Sequence, residues 1–163
     1  MDVNTAIRTR RTHKAYWPEP VDRETLDELF ELARWAPNHH LTNPWRFRVV
    51  GPRALERLKT AAGPDAAGKL DRAPTLVVVS SVGNEEDRDA TAAAAYIVLL
   101  GAHARGLASY WRTPDVLQTP EGRAAVGIGD EEQVLGLLHL GRPRQEQRVP
   151  DRAPTSEVVA YLE

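Results

Sequence analysis

Leu26, Leu29, Phe30 and Ala33 recur at i, i+3, i+4 and i+7, the spacing of one buried helical face. Leu32 widens that face, Pro18 and Pro20 precede the segment, and Asp22 stands where an N-cap belongs. Next, Trp45, Phe47 and Val49 alternate with Arg46 and Arg48, which predicts a strand over Trp45–Val50 with one face buried. Gly51-Pro52 turns the chain into a helix that runs to Ala62, with proline in its first turn. Leu76–Ser81 and Val134–Leu140 are short continuous apolar runs, the pattern of buried strands. Between them Ala90–Arg105 is the longest apolar helix, preceded by the acidic stretch Glu85–Asp89 and stopped by Gly106. Its four consecutive alanines, Ala92–Ala95, permit close approach by a neighbour, either in the core or across a dimer interface. Leu107–Trp111 predicts a further strand, then a short helix capped by Thr113 or Asp115 that breaks near Pro120. A short helix over Val3–Arg8 opens the chain. With few hairpin signals, this order describes an α+β three-layer domain, and no repeat or break divides residues 1–163.

The polar stretches interrupt this pattern in informative places. Ala36–Phe47 holds two prolines, two adjacent histidines, two asparagines and a tryptophan between a helix and a strand. Prolines let such a loop keep one shape without burial, so it is a ligand loop or a helix-to-strand connection. Arg8–Lys14 carries four cations and two threonines in seven residues. That cluster either binds a phosphate, whose oxygens match arginine forks, or is a solvated basic surface. Trp35, at the end of its helix, is expected to be a packed aromatic. Gly63–Lys69 imitates the spacing of a P-loop, but Leu70 replaces the magnesium-binding hydroxyl and a helix precedes it, so it is expected to be a surface loop. Gly127-Ile128-Gly129 lacks the third glycine of a dinucleotide fingerprint. Arg142–Arg152 has no periodicity and predicts an extended arm, and Ser156–Leu162 is weakly amphipathic.

Composition narrows the function classes. Hydrophobic residues make up 42% of the 163, in the globular range. A net charge of -2 gives no reason to expect nucleic acid. No apolar run reaches the roughly 20 residues of a membrane span, and the first residues form no signal-peptide core, so a cytoplasmic protein is expected. The absence of cysteine excludes disulfides, thiolate catalysis and cysteine-bound metals. No His-Glu-x-x-His or Gly-x-Ser-x-Gly is present. His39 and His40 are poorly spaced for one metal, and His13, His103 and His139 lie on separate segments. Glu85-Glu86 and Glu131-Glu132 are expected at helix starts. The chemistry is therefore expected to reside on a bound cofactor.

Four ordered motifs then converge: Arg10-Arg11-Thr12; Ala36-Pro37-Asn38-His39 with Asn43–Phe47; Gly106-Leu107 leading to Trp111-Arg112-Thr113; and Leu138–Gly141 before a Pro-Arg tail. Together they resemble the FMN-dependent nitroreductase family, and most of all its minimal, short-chain subgroup, over nearly the whole chain. The resemblance implies a three-layer α-β-α fold with a central, mainly antiparallel sheet flanked by helices, in an intertwined homodimer. It implies FMN at the subunit interface and ping-pong transfer from NAD(P)H to a nitroaromatic, quinone or related small-molecule acceptor. Alternatives on the same fold are a flavin carrier or regulatory dimer, and a flavin-dependent dehydrogenase of a biosynthetic substrate.

Arg10, Arg11 and Thr12 match the family's N-terminal flavin-binding segment, with an arginine on the phosphate or ribityl side. Lys14 matches a position near the pyrimidine edge of the flavin. Trp35 and His39 match positions that reach the cofactor from the partner chain, and Asn43 an amide beside the ring. Trp111, Arg112 and Thr113 match the second flavin-binding segment, through backbone groups and an arginine directed at the phosphate. No protein residue is expected to act as acid, base or metal ligand. Larger members carry a C-terminal basic pair for the phosphate; here Arg142, Arg144, Arg148 and Arg152 occupy that region in no evident register.

Overall fold

A computed structural model describes residues 1–162 of the chain. Four strands form one sheet, β1 (Trp45–Val49), β2 (Thr75–Ser81), β3 (Ala108–Arg112) and β4 (Gln133–Gly141), in the order β1-β2-β4-β3. Every neighbouring pair is antiparallel. The helices are α1 (Val3–Thr9), α2 (Arg23–Ala33), α3 (Pro52–Ala62), α4 (Pro64–Ala67), α5 (Glu85–Ala104) and α6 (Pro120–Val126), with short 3-10 turns at His39–Leu41, Asp115–Gln118 and Thr155–Glu157.

The all-apolar runs of β2 and β4 are central because both of their faces are covered. One face, with Val77, Val79, Leu138 and Leu140, packs on α2 and α5. The other, with Leu76, Val78 and Leu137, packs with Leu58 of α3 and Ala125 and Val126 of α6. Helix α2 begins where Asp22 accepts from the Thr25 N–H at 2.8 Å and buries Leu26, Leu29 and Ala33, as its spacing predicts. Helix α5 is started by a reciprocal Asn84–Asp87 capping box. Gly101 of α5 lets α2 lie close, since a Cβ there would sit 2.9 Å from the Leu29 side chain.

Several local expectations are corrected. Trp35 is 75% exposed rather than packed, because α2 ends at Ala33 and the ring turns outward beneath the Arg34 guanidinium. Gly63–Lys69 contains the helical turn α4, which Pro64 starts. Glu131-Glu132 lies in the turn before β4, not at a helix start, and Glu132 is buried. Its carboxylate receives a two-pronged hydrogen bond from Arg48 at 2.6 and 2.9 Å, with further donors in the Ser80 hydroxyl and the Gly129 N–H. Arg48 is therefore half-buried and paired, while Val49, expected inside, is 49% exposed.

Candidate functional site

The N-terminal segment and the C-terminal arm meet along the outer edge of β3. Helix α1 stops at Thr9, and the chain then runs beside β3, with Thr12 in a parallel bridge to Ser109. The His13 N–H donates to the Ser109 carbonyl at 3.1 Å, and the Tyr16 hydroxyl donates back to the His13 carbonyl at 2.7 Å. The arm leaves β4 antiparallel to this segment. Tyr16 bridges Pro143, the Trp17 N–H donates to the Arg142 carbonyl at 3.0 Å, and the Arg144 N–H donates to Ala15 at 3.3 Å. This pairing sets the register that the sequence leaves open, and it carries Gln147, Arg148, Pro150 and Arg152 to Arg10, Arg11 and Thr12.

These seven residues line a cavity of about 250 Å³; four of them are arginines and none is acidic. None of the four arginines has an ion-pair partner among the described residues. Arg10 lies over the Tyr96 ring of α5 at 6.0 Å, and Arg11 is oriented by the carbonyls of Arg8 and Arg10 at 2.7 and 2.9 Å. The Nε2 of Gln147 is buried without an acceptor. An amide donor beside four cations and a threonine hydroxyl is a donor set for a small, multiply charged anion. Burial, then the cations of Arg10 and Arg11, push His103 below its usual pKa; burial, then His103 and Arg10, do the same for His13. Both imidazoles beside the basic segment are thus harder to protonate than a free one, and Thr9 hydrogen-bonds His103 at 2.8 Å.

Trp111–Thr113 continues along β3, the edge strand. The Trp111 indole is not presented to a ligand: its N–H donates to the Leu135 carbonyl at 3.1 Å, and its ring packs on the core. Gly136 permits this fold-back, since a Cβ there would lie 2.6 Å from the indole nitrogen. Arg112 turns away from Arg10–Thr12. It donates to the Lys69 carbonyl at 3.0 Å and lines, with Lys69 and Thr113, a second cavity of about 410 Å³. Lys14 is exposed on the N-terminal segment.

The remaining predicted residues lie at the other end of α5. Loop Asn38–Asn43 is held in an unusual shape, with His40, Leu41 and Asn43 at φ of 54, 52 and 48°. Left-handed backbone at non-glycine residues costs about 1 kcal/mol each, so other contacts must fix it. The Asn43 N–H donates to the Asn38 side chain at 3.0 Å, Asn43 Nδ2 to the Leu41 carbonyl at 2.9 Å, and the Thr42 hydroxyl to Asp87 at 2.6 Å. His39 stacks on His40 with ring centres 3.8 Å apart and pairs with Glu86 at 2.9 Å. Thr9 touches His103 and His39 touches Glu86, so these two contacts lie about 25 Å apart along one helix, while Arg10, over Tyr96, lies about 15 Å along it from Glu86. Within one chain, the structure brings Arg10–Thr12 to the arm and does not bring Trp35, His39 or Asn43 to either. Gln147, Arg148 and Arg152 are the residues that sequence reasoning missed as site members; only their arginine content hinted at them.

The Nitroreductase family profile matches residues 7–142. YfhC of Bacillus subtilis (strain 168), assigned as an NAD(P)H nitroreductase, is 29% identical over 170 residues, covering 91% of this chain and 88% of its own. A Methanothermobacter thermautotrophicus protein assigned as an NADH dehydrogenase/NAD(P)H nitroreductase is 32% identical over 159 residues, with 93% and 82% covered. Among solved structures, a nitroreductase-like family protein from Bacillus cereus superposes with a TM-score of 0.90 at 22% identity, covering 100% of this chain and 97% of that one. The FMN-dependent nitroreductase NfnB from Mycobacterium smegmatis, solved in complex with NADPH, gives 0.81 at 21% identity, with 98% and 97% covered. The antiparallel sheet between two helical layers is thus a shared fold, and with a family match that spans most of the sequence, this chain belongs to the Nitroreductase family.

Proposed function

We propose that this chain is an FMN-dependent oxidoreductase. In this role it works as a single-domain subunit of a homodimer and passes electrons from NAD(P)H to nitroaromatic, quinone or related acceptors. The observation that carries the proposal is the basic cavity, in which four arginines from the two ends of the chain converge with no carboxylate among them. That donor set fits the phosphate of FMN. Relatives assigned as NAD(P)H nitroreductases, and NfnB with its FMN and NADPH, support the choice of flavin and nicotinamide.

Arg10, Arg11, Arg148 and Arg152 would hold the phosphate, with Thr12 and Gln147 completing its hydrogen bonds. Backbone groups of Trp111–Thr113 on the edge strand, with Lys14 nearby, would meet the ring. Lys69 and Arg112 put positive charge beside Thr113, which favours an electron-rich ligand there. Bound FMN supplies the redox chemistry, accepting two electrons from NAD(P)H in one half-reaction and giving them to the acceptor in the next.

Within one chain Trp35, His39 and Asn43 line no cavity with Arg10–Thr12, so in a homodimer they would reach the cofactor held by a partner. Exposed apolar residues support that pairing. Val3 and Ile7 project from α1 one turn apart, and Tyr96 is exposed on the alanine-rich face of α5. Purified protein loaded with FMN should bleach anaerobically with NADH or NADPH and recolour with a nitroaromatic. A flavin-loaded protein that neither nicotinamide bleaches would sink the reductase assignment.

A further inference from the structure

We infer that the C-terminal arm is a clasp closed by the phosphate it covers: a phosphomonoester bound between Arg10–Thr12 and Gln147–Arg152 seats the arm, and without that anion the arm is released. The inference rests on the proposed FMN site and adds a conformational link to it.

Within one chain, the arm is hydrogen-bonded to the body only at its root. Its last hydrogen bond to the body is the Arg144 N–H to Ala15. Beyond it, among the described residues, no hydrogen bond joins residues 145–162 to the rest of the chain, and the only ones within them close the 3-10 turn at Thr155–Glu157. What lies over Arg10 and Arg11 is therefore a segment held without backbone pairing, and it adds two more guanidiniums to the two already there. Like charges along one small cavity oppose the closed arrangement, and no carboxylate lines that cavity, although Glu146 and Asp151 flank its residues on the arm. Gln147 adds a buried amide donor with no acceptor, a further cost of closure. A dianion with several acceptor oxygens reverses each of these terms together. The coupling is reciprocal: anion binding is weakened by the reciprocal of the fraction of molecules whose arm is closed.

Trypsin reads the clasp directly, because it cuts after arginine. The informative bond is Arg144–Gln145, at the arm's root and outside the basic cavity, so its protection reports closure rather than shielding of a phosphate-bound side chain. The full-length protein would be digested with no addition, with FMN, with riboflavin and with inorganic phosphate, while flavin fluorescence reports binding. Saturating FMN should slow cleavage at Arg144 by about tenfold or more, as expected when a ligand binds only the closed state. Inorganic phosphate should protect at higher concentration, and riboflavin should not protect. Gln147→Leu, outside the packed core, should leave the fold intact and reduce the protection. If FMN binds by fluorescence and the Arg144 cut is unchanged, the clasp is wrong while the flavin site stands. If riboflavin protects as well as FMN, the arm answers to the ring and the clasp is again wrong. If FMN does not bind at all, both the site and the clasp fall.

Discussion

Two groups of arginines in this protein are held in opposite ways. Arg48 is half-buried and fully engaged, its fork closed on the Glu132 carboxylate beneath the Ser80 hydroxyl. Arg10, Arg11, Arg148 and Arg152 share a cavity with one another and with no acidic group. The first arrangement is complete within the chain and belongs to its stability. On the proposed reading, the second would be completed by an anion and would serve function. Charge alone does not separate them; the presence or absence of an internal counter-charge does.

The sharpest way to break this contrast is Arg48→Met, which should destabilise the fold by about 3–5 kcal/mol because it leaves Glu132 buried and unpaired. Urea unfolding would measure the loss, and FMN affinity of the folded variant should be unchanged. Acid should produce a nearly comparable effect through two buried groups. His139 is wholly buried beside Tyr110, and burial, then the cations of Arg112 and Arg72, push its pKa from 6.5 down to about 4. The unfolded chain therefore takes up a proton that the folded chain refuses as pH falls through this window. Stability should drop there by about 3 kcal/mol. Glu132 then adds a second loss. Burial alone would raise its pKa, but the Arg48 fork, the Ser80 hydroxyl and the Gly129 N–H outweigh burial and hold it at about 2 instead of 4.5. Its stabilisation is present above pH 4.5 and disappears as pH falls towards 2. In His139→Leu the upper window should vanish from a plot of urea midpoint against pH, and the lower one should remain.

On the other side of the comparison, Arg148→Gln should weaken FMN binding by about tenfold to a hundredfold, the worth of a charged hydrogen bond, with no change in urea midpoint. A loss of stability in that variant would mean that the arm's arginines are structural after all. The smallest effect is expected at Leu41, exposed at φ 52°. Leu41→Asn should raise stability by no more than about 1 kcal/mol, since asparagine tolerates left-handed backbone better.

The layered fold was legible because its elements are written in apolar spacing: α2 buries Leu26, Leu29 and Ala33 as its periodicity marks, although Leu32, expected to widen that face, is exposed, and β2 and β4 are the central strands their continuous runs imply. Positions whose environment comes from distant chain segments were not legible. The alternation in β1 marked Arg48 as a solvent-face residue, but the turn before β4 covers it and supplies Glu132, 84 residues away. Trp35 carried the apolar character of a core residue without a core neighbour, which is what a residue destined for a second subunit would look like. In the candidate site, Arg10, Arg11 and Thr12 were visible as a cluster because they are adjacent. Their counterparts in the arm were not, because a segment without periodicity has no register until Tyr16 and Pro143 pair.

That pairing also bears on when the protein can be loaded. The anion cavity is built from residues 10–12 and 147–152. The two segments are far apart in the sequence and meet only once β3 and β4 have joined the sheet and Tyr16 has paired with Pro143. A chain that has folded its helices and only begun its sheet would hold half of the proposed phosphate site. On the proposed reading FMN would then be taken up by fully folded chains, so the supply of FMN would set how much of the protein is active rather than how much of it folds.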